Sequence, residues 1–355
     1  MKYLFVGPVI HPVHGQSLAF TRFIESIDKE SKIIINTNID DKSKPVKFLY
    51  TFKILSEILI KSIFCKYNTV YFTCSRSIMG SIKDILLINL ASLKNVKIIN
   101  HLHGSDFYDF LHKSPNCYKQ ILIHSYRKVD TSIVLLERMK SQFKNFENMK
   151  VEVVPNFYDD ELEHKLIDKE VDKVNLVYLS NIMCSKGIFE LLAAFKEVVK
   201  KHQNIHLNIA GGFIADKHMS IEDVKEKFLA EIKSSANISY VGTVFGDKKI
   251  KLLQLSDIFI LPTYYESEAF PISILEAMVC ENAIITTDYK YLPDIISNQN
   301  GLLTKPKSIT SLSKAIELLL SDKVKLRYIQ AHNKSIAKQS YNLDSYLYKL
   351  KKIIN

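Results

Sequence analysis

The stretch YESEAFPISILEA at 265–277 sets Glu266, Glu268 and Glu276 beside a run that otherwise reads as buried core. A carboxylate with two oxygens orients neutral hydroxyls well, so a sugar or a ribose is the kind of ligand such groups could hold. Pro271 suits the first position of a helix, because its fixed φ is preorganised there and its missing N–H is not needed. Ile272, Leu275, Met278 and Val279 then recur at helical spacing. With Pro271 first, the cap position falls to Phe270, which cannot accept a hydrogen bond from the first-turn amides. A helix that begins this way after a strand turns free N–H groups and a positive dipole end toward a phosphate. The plainer alternative is a solvated Glu268 and a Glu276 on the wet face of the helix; spacing alone does not choose.

Three other segments combine chemistry-bearing residues with a strand-to-helix position. LSNIMCSKGI (179–188) sets Lys186 and Gly187 where a lysine can neutralise a diphosphate, although an exposed turn can look the same. HPVHGQS (11–17) follows the first strand, and Gly15 there allows close backbone approach to a ligand or simply makes a turn. NHLHGSDF (100–107) ends a central strand with His101, His103 and Asp106; His101 is expected to pack inward and His103 to serve a site. These three could ligate a metal by type, but no second ligand cluster supports one.

The elements that must position these loops alternate. KYLFVGPV (2–9), KIIINTN (32–38), NTVYFTC (68–74), VKIINHLHG (96–104), TSIVLLE (131–137) and MKVEVVPN (149–156) read as strands, with helical stretches at 17–27 and 80–93. After the charged stretch 159–173 the pattern restarts, with strands at 174–181, 205–212, 238–244, 258–263, 282–288 and 301–306 and a periodic helix at 188–202. This spacing predicts βαβ units and two doubly wound α/β domains, 1–165 and 166–340, with ligands bound beyond the carboxyl ends of the strands. The remaining segment, 341–355, is expected to be a helix that packs back on the N-terminal domain.

Composition narrows the class. The chain has 355 residues, 47% of them apolar and 24% charged, as an ordinary globular protein does. Five scattered cysteines with no CxxC pair argue against a disulfide framework or a zinc site and for a reducing compartment. The N-terminus reads as a first buried strand and no run is long enough to span a membrane, so a soluble cytoplasmic protein is expected. Missing G-x-G-x-x-G, P-loop and G-x-S-x-G patterns count against a dinucleotide dehydrogenase, an NTPase and the common hydrolases.

Charge is uneven. Residues 1–155 hold 22 Lys and Arg against 13 Asp and Glu, a net of +9, whereas the remainder is close to neutral. Segment 42–67 interleaves six lysines with aromatic and branched residues against a single Glu57. It is expected either to lie on an anionic membrane, at the inner face of the cell membrane, or to be a core helix with a solvated lysine face. No nucleic-acid motif is present, so nucleic acid is not an expected partner.

The run E-A-F-P-I-S-I-L-E-A-M, with FILPTYYE before it and AIITTD after it, resembles the E-x7-E signature of the family-4 (group 1) retaining glycosyltransferases of the GT-B fold. The resemblance extends over most of the chain and is densest from 174 to 306. It implies two Rossmann-like doubly wound domains facing each other across a cleft, the C-terminal one holding a nucleotide-sugar, expected to be UDP-linked. It implies that Glu276 binds the ribose, that Glu268 contacts the donor sugar, and that backbone amides of Ala269, Phe270, Pro271, Ile272 and Ser273, as far as they carry an N–H, hold sugar and phosphate. Lys186 and His103 are the further catalytic candidates, with Gly15 and Asn181 at the donor. The family usually has Gly-Arg where this chain has Ser180-Asn181, so the phosphate-binding arginine does not carry over. No cofactor and no metal are expected, in keeping with the absence of Asp-x-Asp. The implied partners are the nucleotide-sugar donor and a glycan or lipid-linked acceptor of surface polysaccharide synthesis. A sugar-nucleotide epimerase of related fold and a non-catalytic sugar-nucleotide-binding protein are the alternatives.

Overall fold

The computed structural model describes residues 2–9, 15–38, 44–163, 173–233 and 235–355. Contacts divide the chain into two units, Met1–Asn156 with Asp344–Asn355, and Phe157–Leu343.

The first unit runs β1 (Tyr3–Gly7), α1 (Gly15–Glu25), β2 (Lys32–Asn36), α2 (Lys44–Phe64), β3 (Thr69–Thr73), α3 (Ile78–Ser92), β4 (Lys97–His101), α4 (Phe107–Lys113), α5 (Asn116–Tyr126), β5 (Thr131–Val134) and β6 (Lys150–Val153). All its strand pairs among the described residues are parallel, in the order β2-β1-β3-β4-β5-β6. Helices cover both faces of such a sheet, which is why β1 and β3 are unbroken buried runs and not alternating ones. Phe5, Phe20, Phe23 and Tyr71 form the centre of the core, with Phe23 and Tyr71 5.0 Å apart edge to face.

The second unit runs β7 (Val174–Leu179), α6 (Ile188–Val198), β8 (Ile205–Ala210), α7 (Ile221–Ile232), β9 (Ile238–Tyr240), α8 (Gly246–Gln254), β10 (Ile258–Leu261), α9 (Ile272–Val279), β11 (Ala283–Thr287), β12 (Gly301–Thr304), α10 (Ile309–Ser321) and α11 (Lys323–Ser340). Its sheet order is β12-β11-β10-β7-β8-β9, again all parallel. Counted within the unit this is the dinucleotide-fold order 3-2-1-4-5-6, whereas the first unit follows the other doubly wound order, 2-1-3-4-5, with a sixth strand added. In each sheet the direction of winding reverses at one point, between β1 and β3 and between β7 and β10. Loops leaving the carboxyl ends of those strands part there, and that is where such sheets bind ligands.

The final helix, α12 (Leu343–Ile354), lies with the first unit. Tyr346, Leu350 and Ile354 are buried, the Tyr346 hydroxyl donates to Ala19 O at 3.4 Å, and Lys97 Nζ donates to Ile353 O at 2.6 Å. The domain boundary differs from the expected 165/166. Phe157, Tyr158 and Leu162 are buried in the second unit, where Tyr158 N donates to Tyr341 O and Gln254 Nε2 donates to Leu162 O. Those apolar anchors sit among acidic neighbours that disguise them in sequence. The stretch 159–173, read as helix-prone, begins as a single 3-10 turn, Asp160–Glu163, and its remainder from 164 to 172 lies outside the described residues.

Candidate active site

The winding reversal between β7 and β10 places the 180–187 loop beside the 262–271 loop. Gly187 makes that contact close. Its φ is +75°, and a Cβ there would lie 2.1 Å from Pro262 O, so only glycine fits. Tyr264 N donates to Ser185 O at 2.8 Å and fixes the two loops in register.

This packing brings Lys186 to Glu268. Lys186 Nζ lies 2.5 Å from Glu268 Oε2, and Thr263 Oγ1 donates to the same oxygen at 3.0 Å. Both charged side chains are largely buried, and the ammonium also stands 5.2 Å above the Tyr265 ring. The ammonium has three donors, so a bond to Glu268 leaves capacity for a second anion. A second lysine, Lys307, stands 4.6 Å above the neighbouring Tyr264 ring. Burial, then the Cys184 thiol and the Glu190 carboxylate beside it, push the Tyr264 phenol well up, so it stays neutral.

Helix α9 begins one residue later than the sequence indicates. Pro271 is its cap residue and Ile272 its first, because Pro271 has ψ 121° and lies outside helical space. No side chain caps the helix, and the cap position moves from Phe270 to Pro271. The side chains of Ala269, Phe270 and Ile272 are buried, and Phe270 packs edge-on against Tyr341 at 5.5 Å. Ser273 is half-buried in the first turn. Glu276 is buried, not on a wet face, and its Oε1 accepts from Lys249 Nζ of α8 at 2.6 Å. Glu266 is exposed and pairs with exposed Lys217. Asn181 is exposed at the end of β7, its carbonyl accepting from the Tyr178 hydroxyl at 2.8 Å.

In the first unit the β4 loop holds the histidines. His101 is fully buried, with Nδ1 2.6 Å from the Tyr71 hydroxyl and its ring 4.0 Å from that of His103. Burial, and then the neighbouring His103, hold the His101 imidazole well below the ordinary histidine range. His103 is only half-buried, and Asp106 pairs with Arg76 at 2.5 Å. Gly104 permits that pair, since a Cβ there would lie 2.0 Å from Arg76 Nη1. Two members of the metal-capable trio are thus engaged elsewhere, His101 with Tyr71 and Asp106 with Arg76. The β3 loop that carries Arg76 is tied down by buried Asp84, which accepts from Ser75 N and the Tyr126 hydroxyl. Gly15 is the exposed first residue of α1, and the preceding histidines, His11 and His14, lie outside the described residues.

Sequence reasoning passed over Lys249, Thr263, Lys307 and Arg76. Of these only Thr263, five residues before Glu268, lies in a segment that drew attention, the FILPTYYE run that precedes the motif.

Comparison with known proteins agrees with this architecture. The model of the family described as glycosyl transferases group 1 matches residues 159–338. Sucrose-phosphate synthase from Thermosynechococcus elongatus superposes with a TM-score of 0.77 at 15% identity, over 99% of this chain and 98% of that one. Anabaena HepE, solved in complex with UDP, gives 0.76 at 14% identity over 99% of each chain. The fold is therefore GT-B. An N,N'-diacetylbacillosaminyl-diphospho-undecaprenol α-1,3-N-acetylgalactosaminyltransferase of Campylobacter jejuni is 41% identical over 104 residues, 29% of this chain and 26% of that protein. An uncharacterised glycosyltransferase of Methanocaldococcus jannaschii is 26% identical over 278 residues, 73% of this chain and 68% of that protein. The matched part thus spans about a quarter of the first relative and about two thirds of the second. With the family model matched over just over half of its length, this chain belongs to the group 1 glycosyl transferases.

Proposed function

We propose that the chain transfers a hexosyl unit from a UDP-linked sugar to a glycan or lipid-linked acceptor in surface polysaccharide synthesis, with retention at the anomeric carbon and without a metal. One observation carries this reading: the Lys186–Glu268 pair at the winding reversal of the second unit, eight residues before a second buried carboxylate at Glu276. Glu268 orients donor hydroxyls, Glu276 takes the ribose hydroxyls, and Lys186 with the first-turn amides of α9 takes the diphosphate. In the reaction the acceptor oxygen bonds to C1 on the face from which the diphosphate departs. The bond from C1 to the phosphate oxygen breaks, and the acceptor proton passes to that oxygen. Positive charge near it must grow in effect as the bond lengthens, which is the task given to Lys186. His103 is assigned to the reacting sugar, and Asn181 offers a neutral hydrogen bond where the family's arginine would stand. The UDP-bound HepE structures and the lipid-diphosphate substrate in the Campylobacter name support the donor and acceptor classes. Contact with an anionic membrane belongs to the same reading.

The test is incubation with radiolabelled UDP-sugars, with and without polyprenyl-diphosphate-linked glycans. The expected result is UDP release that requires acceptor, with label moved to the lipid fraction. An epimerised donor formed without acceptor, or binding without turnover across the panel, would overturn it.

A further inference from the structure

Helix α2 is apolar on two sides, and the fold uses one of them. Ile54, Ile58 and Ser62 face the body of the first unit and are buried. On the opposite side Phe48, Leu49, Phe52, Ile60, Ile63 and Phe64 are each between 50 and 78% exposed, with Phe48 and Phe52 packed edge to face. Leu93, at the end of α3, extends this surface: the next residue, Lys94, donates from Nζ to Ile63 O and Cys65 O at the end of α2. Contiguous exposed apolar residues of this kind mark an interaction surface.

Charge identifies the occupant. Exposed Lys53, Lys66 and Lys94 border the face, and the acid of α2, Glu57, is engaged by Lys61 at 3.1 Å. A second copy of the chain laid on this face would bring lysines against lysines, whereas anionic headgroups would pair with them. No helix of the described residues is long and apolar enough to cross a membrane, so α2 can lie on a bilayer and not through it. We propose that the outward face of α2 docks the first unit on an anionic lipid surface, with Phe48, Phe52, Ile63 and Phe64 entering the acyl boundary and the lysines at headgroup level. The proposal deepens the membrane contact of the functional reading, and its test reads binding, so its failure leaves the transferase reading to be judged on turnover.

Flotation of the full chain with vesicles of phosphatidylcholine, alone or mixed with phosphatidylglycerol, tests it. The chain is expected to float with the mixed vesicles and to remain below with phosphatidylcholine alone. Phe52→Glu with Ile63→Glu should reduce the floated fraction roughly tenfold or more, and Lys53→Glu with Lys66→Glu by a similar factor that shrinks as salt rises. Because all four side chains are exposed, melting of the variants should match the parent. Absence of flotation with the mixed vesicles, or equal flotation of parent and variants, would overturn the proposal. So would a solution dimer that Phe52→Glu with Ile63→Glu dissociates, since the face would then belong to a second copy.

Discussion

Lys186→Ala is expected to lower kcat on the order of 10²–10³-fold, the usual loss when one preorganised donor to a developing anion is removed. The effect should fall mainly on kcat and less on KM, because the ammonium matters most once the diphosphate carries its full charge. Structure adds a second consequence. Lys186 is paired with Glu268 in a largely buried setting, so truncation leaves a carboxylate without its cation. Breaking such a pair costs roughly 3–5 kcal/mol when both ions are sealed from water. The Thr263 hydroxyl still donates to Glu268 Oε2 at 3.0 Å, which favours the lower end. Lys186→Arg should not restore full rate, since a planar fork does not reproduce a compact ammonium above the Tyr265 ring. Steady-state kinetics with a UDP-sugar, alongside thermal melts, separates the two consequences. A variant with unchanged kcat and a raised KM would remove Lys186 from the chemistry and leave it only a donor contact.

Gly187→Ala is expected to destabilise the second unit although it adds one methyl group. At φ +75° an alanine is strained, and here its Cβ would also meet Pro262 O at 2.1 Å, an oxygen held by the backbone at the end of β10. Together these should cost about 3 kcal/mol, a fall of about 6–12 °C in melting temperature for a unit of this size. Relief can come only from moving the 180–187 loop away from β10, which would take Lys186 from Glu268. UDP affinity should therefore drop with stability, and calorimetric melting with UDP titration measures both. Parent-like melting and affinity would mean that the loops do not depend on this close approach.

The doubly wound architecture was readable because the central strands β1, β3, β10 and β11 are unbroken buried runs and most crossovers carry a helix, patterns that parallel sheets impose on sequence. Strand order was not readable, since the same alternation serves both winding orders. At the site, Glu268 and Glu276 stood out because acids are rare within apolar runs. Lys186 stood out by its place before Gly187, but its pairing with Glu268, 82 residues away, was hidden, and Lys249, 27 residues from Glu276, did not stand out at all. Local spacing cannot report contacts made by neighbouring strands and helices. The one-residue shift at Pro271 has a similar origin: proline fixes φ, but ψ, which decides cap against first turn, is set by the chain around it. The Arg76–Asp106 pair was hidden in the same way, as two loops from adjacent strands meet only in the fold.

The central claim is that the buried carboxylates at the start of α9 hold a nucleotide-sugar. Isothermal titration of UDP into the parent chain and into Glu276→Ala tests it most directly, with circular dichroism showing both folded at the temperature used. The parent should bind UDP measurably and the variant roughly 10–100-fold more weakly, as expected for removing a charged group's hydrogen bonds to ribose. Equal UDP affinity in a folded Glu276→Ala would contradict it.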